Sequence, residues 1–200
     1  MKHLRPAILL TLMLMLITGF IYPGVITGLA HLLFPRQANG SLVRVNGKVV
    51  GSELIAQGFT QPWYFHPRPS SAGAGYDATA SGGSNKGPTD RKLADTLIAG
   101  SVAEARAETG ATGKLPADMV TRSGSGLDPH ISPANAELQI NRVAQARGVS
   151  VDQVRQLVQL HTEHRTLGIL GEPRINVLLL NIALDSALPR SAAQTPNTPR

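Results

Sequence analysis

The chain has 200 residues, no cysteine and a formal net charge of +6. Without thiols there can be no disulfides, thiolate metal sites or cysteine nucleophiles. Lys2, Arg5 and Arg36 carry half of the positive excess, so the remainder is only mildly basic. No Arg/Lys run with interleaved aromatics points to a nucleic-acid partner.

Pro6 to Leu33 contains no Lys, Arg, Asp or Glu. About 20 apolar residues cross the hydrocarbon core as a helix, so this run predicts a transmembrane helix with a turn or two to spare. Tyr22-Pro23-Gly24 places an interfacial aromatic beside a kink-prone pair. Lys2, His3 and Arg5 precede the run and Arg36 follows it. The positive-inside rule therefore puts the N-terminus in the cytoplasm and residues 37–200 on the far side. Gly28-Leu29-Ala30 would suit a signal peptidase, but signal peptides have shorter apolar regions, of about 7–15 residues. A retained anchor is the preferred reading, and both readings export the rest of the chain. Within the bilayer small residues mark close helix contacts, which makes Thr11, Thr18 and Gly19 candidates for a face against a partner's helix.

Beyond the anchor, Ser41 to Val50 reads as a hairpin turning at Asn46-Gly47, the preferred type I′ pair. A short helical turn capped by Ser52 is expected next. Residues 58–90 are rich in Pro and Gly, which argues against regular structure. Trp63, Tyr64, Phe65 and Tyr76 argue equally against disorder, so an ordered irregular loop is expected. A helix is predicted from Thr89 to about Thr109, ended by Gly110, and then an extended piece over Lys114 to Val120. Residues 121–132 form a second irregular segment. Ser132 then caps a helix with Pro133 at its first position and Gly148 as its stop. Ser150 and Gln153 form a capping box for a helix whose apolar face is Val151, Val154, Leu157 and Val158. Ile175 to Leu188 reads as a buried helix, although a central strand fits its first half equally well. The fold class is α+β. It consists of an anchor (1–36), one mainly helical extracytoplasmic domain with a small hairpin and long loops (37–188), and a disordered tail (189–200).

Four constellations suggest chemistry. His161 and His164 stand i, i+3 on a predicted helix, but with no third ligand evident a solvated face is preferred. Ser125, Asp128 and His130 have the residue types of a hydrolytic triad, yet three members within one short loop rarely align. The nucleophile elbow also needs glycines where Ser123 and Leu127 stand. Ser81 to Pro88 resembles a phosphate loop only superficially. The start of the helix at Ser132 would attract an anion, unless Asp128 and Ser132 cap it themselves, which is the preferred reading.

Several stretches together resemble one family: Gln61-Pro-Trp-Tyr-Phe-His-Pro-Arg-Pro-Ser70, Ser81-Gly-Gly-Ser-Asn85, Ser123-Gly-Ser-Gly-Leu-Asp-Pro-His-Ile-Ser132, Asn141-Arg-Val-Ala144 and Gly171-Glu-Pro-Arg-Ile-Asn-Val177. With the single anchor, they resemble the C subunit of the bacterial Kdp potassium-transporting ATPase. The resemblance covers the chain from the anchor to about Asp185. It implies a non-catalytic, single-span inner-membrane subunit with no tightly bound cofactor. The implied partners are a channel-like potassium-translocating subunit, an ATP-hydrolysing P-type subunit and a small fourth membrane peptide. The subunit would hold these together and raise the pump's affinity for ATP. Trp63, Tyr64, Phe65, His66, Arg68, Ser81 and Asn85 are then candidates for a partner-contact loop. Ser123, Gly124, Ser125, Gly126, Asp128, His130 and Gln139 are candidates for a nucleotide or partner contact, with Gln139 facing a ribose. ATP is cytoplasmic, however, whereas the charge asymmetry puts this domain outside.

Overall fold

In the computed structural model, which describes residues 3–189, the expected span is a helix over Leu4–Leu33. It comprises α1 (Leu4–Leu16), a π-helical turn (Ile17–Ile21) and α2 (Tyr22–Leu33). Pro23 has no N–H to give the Gly19 carbonyl, and its ring crowds that carbonyl. The preceding turn widens instead of breaking, and the Tyr22 N–H reaches the Ile17 carbonyl. A short α3 (Pro35–Ala38) leads into an antiparallel hairpin of β1 (Leu42–Val45) and β2 (Lys48–Ser52). Asn46 and Gly47 turn it with φ of 51° and 78°, as a type I′ pair requires. Ser52 stays in β2 and no helix follows it, only a single turn at Glu53 and Leu54. Gly51 and Ser52 continue the ladder opposite Val43 and Leu42, and the Ser52 hydroxyl donates to the Gly40 carbonyl at 2.7 Å.

The chain divides between Ser52 and Glu53, and the second unit carries its own core. α6 (Pro133–Arg147), α7 (Val151–Leu160) and α8 (Val177–Ala187) bury Ile140, Val143, Val154, Val158, Leu180 and Leu184 with Ile131 and Ile175. The last two belong to a small antiparallel sheet of β3 (His130–Ile131), β5 (Arg174–Asn176) and β4 (Thr162–Glu163), in that order. Both α6 and α7 start as the sequence predicts. The Ser132 Oγ accepts from the Asn135 N–H, and Ser150 and Gln153 close both halves of a capping box. Gly148 ends α6 in the left-handed region.

Two boundaries differ from expectation. The final helix starts at Val177, because Ile175 and Asn176 are taken by β5 and the Asn176 side chain caps α8 by accepting from the Leu179 N–H. The piece after Pro116 is not extended: Ala117–Val120 forms a helical turn, α5, which carries Met119 and Val120 into a second apolar cluster with Ala105. The helix expected from Thr89 opens with a π-helical stretch (Lys92–Ile98), continues as α4 (Ala99–Thr109) and ends at a left-handed Gly110. The predicted tail lies, beyond Pro189, outside the described residues.

Residues 58–90 form an irregular loop that is nonetheless part of the core, since Phe65 and Ala72 have no exposed surface. Replacing a fully buried Phe by Ala typically costs about 3–5 kcal/mol. Phe65→Ala should lower the unfolding free energy of the detergent-solubilised chain by about that amount, read from denaturant curves. A loss under about 1 kcal/mol would show that the loop lies outside the cooperative core.

Candidate functional site

α6 and α8 grip the backbone of the loop that precedes them. The Asn181 side chain donates to the Phe65 carbonyl at 2.9 Å and accepts from the Phe65 N–H at 2.8 Å. Gln139 treats His66 in the same way, donating at 3.1 Å and accepting at 2.8 Å. Arg142 Nη1 donates to the carbonyls of Pro62 and Tyr64, and Arg147 Nε donates to that of Trp63 at 2.7 Å. The Arg147 side chain is wholly buried, so its charge requires compensation. Asp185 lies 2.9 Å away, the Leu188 carbonyl accepts from Nη1, and the Tyr64 ring stands 5.3 Å beneath the guanidinium. Tyr64 Oη closes the circuit by donating to Asp185 at 2.6 Å. Trp63 is half-buried, with its ring 6.2 Å from Tyr64.

His66 faces Glu108 at 2.9 Å, and Arg142 reaches the same carboxylate at 2.8 Å. Burial pushes the Glu108 carboxyl up, but His66 and Arg142 outweigh burial and hold it below the ordinary range. Burial lowers the affinity of Arg142 for its proton, against the opposing pull of Glu108. Phe59, His66, Tyr76, Glu104, Glu108 and Gln139 line a cavity of about 250 Å³ beside this cluster. Burial there pushes the Tyr76 phenol up to about 12.

The other two motifs are stitched to the first. The Ser70 hydroxyl donates to the Gly126 carbonyl at 2.6 Å, and the Gly82 N–H and Ser81 hydroxyl both donate to the Ser125 carbonyl. Gly126 sits at φ +69°, where a Cβ would lie 2.6 Å from the Gly82 oxygen, so no other residue fits. A Cβ on Gly83 would lie 3.0 Å from the Gly124 carbonyl oxygen, a tight contact. Asn85 turns the chain with φ 52°. Arg68 donates to Asp128 at 2.9 Å, and the other oxygen of Asp128 accepts from the His130 N–H at 3.0 Å. Burial pushes the Asp128 carboxyl up, but the bonds from His130 and Arg68 win and bring it down to about 2.

The candidate constellations take their places among these contacts residue by residue, beginning with the triad types. The Ser125 hydroxyl accepts from the Leu127 N–H and lies 3.5 Å from Ser123, while Asp128 is held by Arg68. His130 Nδ1 does lie 3.3 Å from Asp128, but the Ser125 hydroxyl meets Ser123 and the Leu127 N–H rather than His130. At the start of α6 the capping reading holds through a different carboxylate. Asp118, not Asp128, accepts from the Ser132 N–H, the Ser132 hydroxyl and the Asn135 amide at 2.8–3.0 Å. Its charge fills the place an anion would take. Gln139 has both donors and both acceptor positions occupied by His66, Asn135 and Arg142. His161 and His164 do not share a helix face, because α7 ends at Leu160 and the chain enters β4. Among the described residues no group of three His, Asp or Glu is placed to hold a metal. In the apolar helix the Thr11 and Thr18 hydroxyls bond to the carbonyls of Ala7 and Leu14, and a Cβ on Gly19 would meet nothing within 4 Å.

The described residues thus assemble a braced pair of loops. The family model for the c chain of K+-transporting ATPases matches residues 4–186. A potassium-transporting ATPase KdpC subunit from Gemmatimonas aurantiaca is 64% identical over 187 residues, covering 93% of this chain and 94% of that one. Proteins with the same name from Rhodospirillum rubrum and Koribacter versatilis are 55% and 52% identical. Each comparison covers 94% of this chain, with 98% and 96% of the relative.

The Asp128 pair predicts an acid limb in stability. A carboxyl with a folded pKa below its ordinary value of 3.8 stabilises fully above that value. The contribution is lost as pH falls towards about 2. The unfolding midpoint of the detergent-solubilised chain should fall between pH 4 and pH 2, with Glu108 acting in the same direction. Asp128→Asn should flatten that fall; an unchanged slope would show that the Arg68–Asp128–His130 contacts do not contribute to it.

Proposed function

The chain belongs to the KdpC family of potassium-transporting ATPase subunits, and from that premise we propose that it holds the pump's other subunits together and promotes ATP binding by the pump. It is an accessory subunit of the Kdp potassium pump and not the catalytic chain. The observation that carries this reading is the family match across residues 4–186, from the apolar helix to α8. Its partners are the channel-like potassium-translocating subunit, the P-type subunit that hydrolyses ATP and the small fourth membrane peptide. The loops bearing Trp63, His66, Arg68, Ser81 and Asn85, and Ser123 to His130, supply contact surface, a role that irregular loops on a rigid scaffold commonly fill. The occupied Gln139 amide and the Asp118 carboxylate at the α6 N-terminus favour a partner over a nucleotide at the second loop.

Residues 1–36 form a cytoplasmic N-terminus and an inner-membrane anchor, and residues 37–188 lie outside. Lys2 and Arg5 ahead of the uncharged run that begins at Pro6 support this orientation. The face with Thr11, Thr18 and Gly19 packs on a partner's helix. Its hydroxyls are already satisfied within their own helix, so close approach brings no unpaired group into lipid.

One preparation tests these points together. A tag cleavable by external protease, placed after Pro196 in cells making the whole transport system, should be removed in intact spheroplasts. Uncleaved chain extracted in detergent should bring two large membrane subunits with it, and Gly19→Leu should bring less of them. Recovery of the chain alone would overturn the accessory role, and protection of the tag would reverse the topology.

A further inference from the structure

We propose that the β1–β2 hairpin docks on the membrane surface, laying its Leu42 and Val49 face against anionic phospholipid headgroups beside the span, an inference that rests on the membrane anchor above. The hairpin belongs with the apolar helix to the first unit, whereas both apolar clusters of the second unit are built from Phe59 onward. Two paired strands alone are at best marginally stable in water. This pair nevertheless leaves Leu42, Val49 and Val50 exposed by 45%, 47% and 38%. Leu42 and Arg44 alternate onto one face of β1, and Arg44 stands opposite Val49. The register slips beside Arg44, which leaves Val50 as the extra residue of a bulge.

Charge identifies what covers this face. The chain contains no Asp or Glu before Glu53, yet the hairpin carries Arg44 and Lys48. Among the described residues neither of these cations meets a carboxylate, and Arg44 donates only to the Gly47 carbonyl at 3.3 Å. Apolar side chains interleaved with unpaired cations are the composition of a segment that lies on lipid. The leucine and valines enter the boundary of the acyl layer, while the long Arg and Lys stems reach phosphate. A protein covering the same face would have to set a carboxylate against each cation.

The backbone fixes the depth. The sheet has two strands only, so the outer N–H and C=O groups of both are unpaired by any third strand. They need the hydrated headgroup layer, which keeps the hairpin on the bilayer and out of its hydrocarbon. Leu42 follows the last residue of α2 by nine positions, a tether of roughly 30 Å even when fully extended. The anchor therefore holds the membrane surface within the hairpin's reach at all times.

The chain has no cysteine, so Val49→Cys offers a single site for a nitroxide label. The labelled full chain is placed in vesicles of phosphatidylcholine, with and without an equal part of phosphatidylglycerol, and in the assembled pump in the mixed lipid. In the mixed vesicles and in the pump, the label should collide with oxygen dissolved in lipid and be shielded from a water-soluble nickel chelate. Arg44→Gln and Lys48→Gln should each raise the water-exposed fraction about fivefold in the mixed vesicles and leave it unchanged in the neutral ones. Three outcomes overturn the docking: a label open to the chelate, a label shielded from both relaxants in the pump by a sister subunit, or a spectrum broadened by a second copy. Mixed vesicles that do not distinguish the charge variants overturn it equally. A label at Leu14→Cys, inside the span, separates this inference from its premise. If that label also meets the chelate, the anchor fails first and the docking falls with it.

Discussion

Pro62, Pro67 and Pro69 deny the loop around Phe65 any regular ladder of its own, and the chain still buries Phe65 completely. Its backbone polar groups must therefore find partners elsewhere, and they find them in side chains. Asn181 and Gln139 each present an amide that imitates a neighbouring strand, pairing both backbone groups of Phe65 and of His66. Each buried group left without a partner costs about 1–3 kcal/mol, so the two on Phe65 alone account for about 2–6. Set against a total stability of about 5–15 kcal/mol, those two amides decide whether the loop stays folded.

The rest of the candidate surface follows from that grip. Once Pro62 to His66 is fixed on α6 and α8, Ser70 and Arg68 are positioned to reach Gly126 and Asp128 in the second loop. That loop is in turn fixed against Ser81 and Gly82. Three motifs that are separate in sequence thus become one surface without a strand longer than three residues among them. The electrostatics serve the same end. Arg147, Arg142 and Arg68 each hold a carboxylate, and Asp118 occupies a helix N-terminus. These charged groups are spent on structure, in keeping with a subunit that contacts partners and leaves phosphate chemistry to another chain.

What could be read in advance was local. An apolar run announces its helix by length, Asn46-Gly47 its turn, and Ser132, Gly148, Ser150 and Gln153 their caps, because each acts within four residues of its own position. The misplaced boundaries had local signals that were outweighed. Asn176 could have been recognised as a cap, but the apolar run extends across it. The grip itself joins residues 73 to 116 positions apart, and nothing in a short window records such pairing. Its trace in the sequence is compositional: Asn181 interrupts the apolar run Val177–Leu184 of α8, and Gln139 stands with Asn135 on the buried face of α6. An amide in such a place is a buried polar group in search of a partner.

Side-chain amides hold this irregular segment as firmly as a ladder would. Amide hydrogen exchange at Phe65 and His66, measured in the detergent-solubilised chain, tests it most directly. Both amides should exchange slowly, at rates comparable to α6. Asn181→Leu should free Phe65, and Gln139→Leu should free His66, each by about tenfold or more while α7 stays protected. Fast exchange at both positions in the unaltered chain, or undiminished protection in the variants, would show that the two amides do not hold the loop.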